Sequence, residues 1–284
     1  MTPRAVRWCL GSGFLFLLLM AAPGGTLRAD EWSDLYRRAV AEEQARRFTS
    51  AETAARQLVA FAERGESEPR LAASLALLAN VRYELANYAE AEALYRRALE
   101  IQVRTLGEEH VQTASTLHHL GLIVSAHGSN AAARPLVHPS LAGRGKLLGR
   151  EHEETAITLG SLAIMYYQDS RFAEAEPMLQ RTIRILERTG GTADPDTAWA
   201  YQSLANLYQA EQRHQEALPL FEKALKSYEA AYGENNPSTG QAVDGLAGYY
   251  FSQGMLAKAE TLYRRAIAIK EKVHGPDHPE TAAV

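Results

Sequence analysis

Residues 197–233 read "TAWAYQSLANLYQAEQRHQEALPLFEKALKSYEAAYG", and their apolar positions keep the spacing of two helices separated by a polar break. Tyr201, Leu204, Ala205 and Tyr208 share one face of the first helix, and Ala217, Leu220, Phe221, Ala224 and Leu225 share one face of the second. A helix pair this short cannot bury two apolar faces by itself, so it needs neighbours of the same kind. The chain supplies them. "AEALYRRALEI" at 91–101 returns as "AETLYRRAIAI" at 259–269, which is 168 residues, or four periods of 42, further on. Gly107, Gly149, Gly191, Gly233 and Gly275 step by 42, as do Ala91, Ala133, Ala175, Ala217 and Ala259. The expectation is an all-α stack of helix pairs in which each repeat contacts its neighbours.

The small residues have a packing task. Ala79, Gly121, Ala163, Ala205 and Ala247 on first helices, with the Ala91 to Ala259 column on second helices, let backbones approach closely where ridges interlock. The segments between pairs read "GEEHVQT", "GREHEET", "GTADPDT", "GENNPST" and "GPDHPET". In them glycine closes one helix, and Asp194-Pro195 or Asn236-Pro237 supplies a cap and a first-turn proline for the next.

Tyr201-x2-Leu204-Ala205-x2-Tyr208 followed by Ala217-x3-Phe221 resembles the tetratricopeptide repeat, whose pattern is W-x2-L-G-x2-Y then A-x3-F. The extension from that family's usual length of about 34 residues, together with these loops, is similar to the kinesin light chain subclass. The resemblance implies a right-handed superhelical solenoid of antiparallel helix pairs with a concave groove lined by first helices. The register gives a degenerate capping repeat at 30–68, with Phe48, Ala51 and Leu58 in second-helix positions. Five repeats follow at 69–106, 107–148, 149–190, 191–232 and 233–274, then the start of a further helix or a stub cap at 275–284. The 107–148 repeat is the most irregular. Pro135 has counterparts in Pro177 and Pro219, whereas Pro139 falls mid-helix and is expected to kink or end it, making this repeat a hinge or weak link.

Carried over residue by residue, the resemblance implies a groove that binds an extended peptide segment through four columns. These hold Trp199; then His118 and Gln202; then Asn80, Leu122, Ile164 and Asn206; then Tyr83, Ser125, Tyr167, Gln209 and Phe251. Amide side chains can pair with a peptide backbone, and aromatic rings can stack on its side chains. The subclass favours paired asparagines before the leucine of the Leu-Gly or Leu-Ala step, where this chain has His118-His119, Gly160-Ser161, Gln202-Ser203 and Asp244-Gly245. That family's cargo preference is therefore not carried over.

The remaining patterns point away from catalysis. Glu42-Glu43, Glu108-Glu109 and Glu153-Glu154 read as solvated faces, and no nucleophile elbow, phosphate loop or dinucleotide fingerprint occurs. Histidines gather at His110, His118, His119, His127 and His138 without the one-turn spacing of a metal site and read as surface or groove residues. Arg96-Arg97 and Arg264-Arg265 read as an exposed face paired with Glu92 and Glu260 one turn away. No cofactor is implied, and the acidic balance of −4 disfavours a nucleic-acid partner.

Arg4 and Arg7 precede an apolar run from Leu10 to Ala22, then Pro23, Gly24 and Gly25, the layout of a secretory signal peptide spanning 1–29. The expected location is exported, periplasmic or secreted, with anchoring through an uncleaved segment as the alternative. Removal of 1–29 takes away Cys9, the sole cysteine, and three arginines, moving the charge from −4 to −7, so no disulfide would hold the mature protein. The expected function is partner binding by a non-catalytic scaffold. The alternatives are the interaction half of a longer chain with a protease-like domain, and self-association through an open C-terminal repeat.

Overall fold

A computed structural model describes residues 26–65 and 67–274. The proposed leader up to residue 25 and the segment 275–284 lie outside the described residues. Twelve α-helices and no strand occur among the described residues, divided into two compact units that meet in sequence at Arg150 and Glu151. The first unit holds α1 (Thr26–Gln44), α2 (Phe48–Arg64), α3 (Glu68–Glu84), α4 (Tyr88–Leu106), α5 (Val111–Ala126) and α6 (Asn130–Leu147). The second holds α7 (Glu153–Gln168), α8 (Phe172–Thr189), α9 (Pro195–Ala210), α10 (His214–Tyr232), α11 (Pro237–Ser252) and α12 (Leu256–His274).

The turn inside each pair explains why the helices fold back on one another. Three residues join α1 to α2, α3 to α4, and so on through α11 to α12. The middle residue of each turn is left-handed: Arg46, Ala86, Gly128, Ser170, Gln212 and Gly254 have φ between 58° and 87°. In the second of these turns the amide of Ala86 donates to Tyr83 O at 2.9 Å and that of Asn87 to Arg82 O at 2.8 Å, the paired bonds of a Schellman motif. Those bonds satisfy carbonyls that the helix end would otherwise orphan, and the same pattern recurs at Ser170, Gln212 and Gly254.

The connections between pairs use a second device at a fixed register. His110, His152, Asp194 and Asn236 are the N-caps of α5, α7, α9 and α11, each accepting from the amide two residues on. In the two histidines the acceptor is Nδ1, at 3.2 Å in both, a role open only to the neutral ring.

Packing within the pairs rests on the small-residue columns. Ala79, Ala163, Ala205 and Ala247, and also Ala91, Ala133, Ala175 and Ala217, have no exposed surface. A Cβ on Gly121 would come within 2.4 Å of Val137 Cγ2, so α5 and α6 approach too closely there for any larger residue. The pairs are also tied by hydroxyls: Ser140 of α6 donates to Ala114 O at 2.6 Å, and Thr182 of α8 donates to Ala156 O at 3.2 Å.

Two expectations need correction. The helix of the irregular repeat does not end at Pro139, because α6 runs from Asn130 to Leu147 with Pro135 and Pro139 inside it. Proline removes amide donors, but Ser140 and Arg144, whose guanidinium donates to Ser115 at 2.9 Å, pin α6 to α5 in the turns that follow the loss. The arginine pairs are also more than a solvated face. Arg96 and Arg264 pair within their helices with Glu92 and Glu260, while Arg97 reaches Glu63 of α2 at 2.8 Å and Arg265 reaches Glu229 of α10 at 2.6 Å. The second arginine of each phrase therefore joins one repeat to the preceding one.

Candidate binding surface

The proposed groove residues divide by exposure. In the first unit, Asn80, Tyr83, His118, Leu122 and Ser125 are all buried. Asn80 Oδ1 accepts from the hydroxyl of Tyr95 on α4, and Tyr83 meets the Tyr88 ring edge-on at 5.3 Å. His118 lies 5.4 Å from the ring of His119, which stacks on Tyr95 at 5.6 Å. Burial, and then the nearby Arg144 guanidinium, push both imidazoles down, His119 to about 3. Both rings are therefore neutral at pH 7. These five expected groove residues lie in the interior, as does His119, whereas His118 and His119 were both expected at the surface or groove.

In the second unit Trp199 is also buried, and its place explains a departure noted in the sequence. A Cβ at Gly160 would stand 2.6 Å from Trp199 Cη2 and 2.8 Å from Cζ3. The indole of α9 thus occupies the space that an asparagine at 160 would fill on α7. Trp199 packs as a wedge between these first helices.

The other six remain at the surface, all in the second unit. Ile164 and Tyr167 on α7 and Gln202, Asn206 and Gln209 on α9 are half-buried, and Phe251 on α11 is 61% exposed. Gln209 Nε2 donates to Ser252 Oγ at 3.3 Å, linking α9 to α11, and Gln202 packs against Gly245 on α11. Tyr167 lies 5.7 Å from the Phe172 ring, and burial pushes its phenol up, so it stays protonated at neutral pH. The surface offers amides, one hydroxyl and apolar faces without an ion of its own, a chemistry suited to backbone hydrogen bonds and side-chain stacking.

One member of the fourth column escaped the sequence reading. The carbonyls of Tyr83, Ser125, Tyr167, Gln209 and Phe251 each accept from the left-handed turn residue, and Glu43 O does the same for Arg46 N at 2.8 Å. Glu43 therefore holds that register position in the first pair. The signal was hidden because the turn residues Arg46 and Ala86 are 40 apart, whereas Ala86 and Gly128 are 42 apart.

Helix pairs tied by left-handed turns and small-residue columns, with a polar and aromatic face on consecutive first helices, define a repeat scaffold of the helix-pair class. The chain belongs to the tetratricopeptide repeat family, whose model matches residues 70–137, 128–188, 155–230, 196–272 and 241–284. Proteins of this family are generally non-catalytic scaffolds that bind protein or peptide partners. No curated protein matches. Among solved structures, the fold is similar to BtubC (BKLC) from P. vanneervenii, at 22% identity and a TM-score of 0.61 over 90% of this chain and 95% of that one. A putative kinesin light chain with nearly identical TPR-like repeats from Podospora anserina is 27% identical, with a TM-score of 0.58 over 74% of this chain and 99% of that one. A Rap protein complexed with Competence and Sporulation Factor gives a TM-score of 0.65 at 16% identity over 88% of this chain and 76% of that one. Among the described residues no helix is long and apolar enough to cross a membrane, and no three acidic, histidine or cysteine side chains converge as metal ligands.

Proposed function

We propose that this protein is an exported, non-catalytic scaffold that binds an extended segment of a partner protein along the first helices of its repeats. The observation that carries the reading is the run of accessible polar and aromatic residues on α7, α9 and α11: Ile164, Tyr167, Gln202, Asn206, Gln209 and Phe251. Asn206 would pair with the partner's backbone, while Tyr167 and Phe251 would supply stacking area, the usual source of most binding energy. Support for a preformed surface comes from the repeats themselves, since the helices that carry these residues are fixed by buried alanines and need little ordering on association. Export is proposed from the charged, apolar and small-residue zones of 1–29.

The test is selection of binders from a library of random twelve-residue peptides, followed by fluorescence anisotropy with the Asn206→Ala/Phe251→Ala variant. The expected outcome is at least tenfold weaker binding at unchanged helicity, roughly 1.4 kcal/mol or more. Undiminished affinity would overturn the surface assignment. Export is tested separately by fractionation, where a cytosolic protein retaining residues 1–29 would refute it.

A further inference from the structure

The last turns of α1 and α3 bring two carboxylates together inside the first unit. Glu43 stands one residue before the end of α1, and Glu84 is the final residue of α3. Glu84 is buried, while Glu43 is half-buried and keeps a solvent-facing edge. Tyr36 is buried beside Glu43, and its hydroxyl has no hydrogen-bond partner among the described residues. The Asn80 amide nitrogen faces the same carboxylate and donates to it, which opposes the upward push on Glu43. Among the described residues no lysine or arginine pairs with Glu43. The contrast with its neighbours is sharp: Glu42 is held by Arg47 at 2.6 Å, and Glu52 and Glu90 are both shared by Arg56 and Arg82.

The electrostatics of this corner favour a cation. Both acids sit at helix C-terminal ends, where aligned peptide dipoles place partial negative charge. Burial, and then the charge of Glu84, push the Glu43 carboxyl up to about 8, so it holds a proton at neutral pH. The phenols of Tyr36 and Tyr95 are pushed higher still and remain protonated. The titratable groups coupled to Glu43 are Tyr36 on α1, Glu84 on α3 and Tyr95 on α4. Helix α2 brings Ala54, Ala55 and Leu58 to the core between α1 and α3. Two carboxylates without a third acidic, histidine or cysteine ligand suit an organic cation better than a metal ion.

We propose that Glu43 and Glu84, with the Tyr36 hydroxyl as an acceptor, form a socket for one lysine or arginine side chain of a partner segment seated on the first unit. This deepens the scaffold reading and rests on it, since Glu43 occupies the register position of Tyr167, Gln209 and Phe251. Entry of the cation displaces the carboxyl proton of Glu43 to solvent, leaving an ion pair in a desolvated site. Binding therefore releases up to one proton, and affinity rises about tenfold per pH unit until the carboxyl is ionised in the free protein.

The probes are the pentapeptide acetyl-Ala-Ala-Arg-Ala-Ala-amide and its citrulline counterpart, which keeps the shape and lacks the charge. Both are titrated calorimetrically from pH 6 to pH 9 in two buffers of different ionisation enthalpy. The arginine peptide is expected to bind with proton release, to tighten about tenfold per pH unit between about pH 6 and 8 and to level off above that. The citrulline peptide is expected to bind at least tenfold more weakly. Glu43→Gln should weaken the arginine peptide at least tenfold at pH 8 and remove the pH dependence. Glu84→Gln should lower affinity independently, with melting curves confirming that both variants fold. No binding of the arginine peptide, equal binding of the two peptides, or unchanged binding by Glu43→Gln would overturn the socket. The surface residues of the proposed function lie in the other unit, so the two readings fail separately. If the selected peptides ignore Asn206→Ala/Phe251→Ala while the arginine peptide still needs Glu43, only the surface assignment falls; the reverse pattern removes only the socket.

Discussion

Gly160→Ala tests whether Trp199 is a packing wedge or a partner contact. The added Cβ would lie 2.6 Å and 2.8 Å from two carbons of the indole and 3.1 Å from Thr182 Cγ2. Restoring ordinary carbon contacts, about 3.5–4.0 Å, requires the ring to retreat by about 1 Å. The ring is buried at 5% exposure, so that retreat displaces neighbours on α7 and α9. Overpacking of this kind costs about 1–3 kcal/mol. Against it stands the replacement of a helical glycine by alanine, which stabilises by roughly 0.5–1 kcal/mol. The net expectation is a loss of about 0–2.5 kcal/mol, centred near 1. Trp199→Phe removes the two clashing carbons and is destabilising by itself through the cavity it leaves. In that background Gly160→Ala should change sign and stabilise, by at most about 1 kcal/mol. The assay is urea unfolding of all four proteins followed by far-ultraviolet circular dichroism, with amide exchange on α7 and α9 to locate the effect. Additivity of the two substitutions within about 0.5 kcal/mol would refute the wedge.

The turn residues give a matched pair of expectations. Ala86→Gly relieves a left-handed alanine at φ 60° and should stabilise by about 0.5–1 kcal/mol, while Gly254→Ala, where a Cβ meets nothing within 4 Å, should destabilise by about 1 kcal/mol through conformation alone. Both are read from urea midpoints. His119 has its folded value pushed from 6.5 to about 3, so its neutral form contributes stability that is complete above about pH 6.5 and lost as pH falls towards 3. His119→Phe should flatten that acid loss of protection in α5 and α6 amides, and an unchanged acid profile would contradict burial of the neutral ring. Glu43 has the opposite sign: its folded value of about 8 lies above the ordinary 4.5, so wild-type stability declines as pH rises between them. Glu43→Gln should therefore resist urea better than wild type at pH 8 and show no advantage at pH 4.5.

The stack of helix pairs was legible because its causes are local and repeated. Helical spacing of apolar residues, an alanine every 42 positions and glycine before each cap are properties of short stretches, and each can be counted along the chain. The turns inside the pairs were less visible, since four of the six left-handed residues are Arg46, Ala86, Ser170 and Gln212, which carry no glycine signal. There the folded pair imposes the conformation, and hydrogen bonds to helix carbonyls offset its strain.

By itself the sequence determined that these residues form repeated helix pairs, and which positions along first helices are candidates for contact. Only the tertiary structure decided which of those positions reach solvent. Asn80 is used by Tyr95, fifteen residues away, and Trp199 fills the space above Gly160, thirty-nine residues away. Such burial depends on the size of a neighbour's side chain and not on the residue's own place in the repeat. The same holds for Glu43, whose chemistry is set by Glu84 on another helix. Periodicity places side chains on a face, but desolvation and pairing are properties of what that face meets.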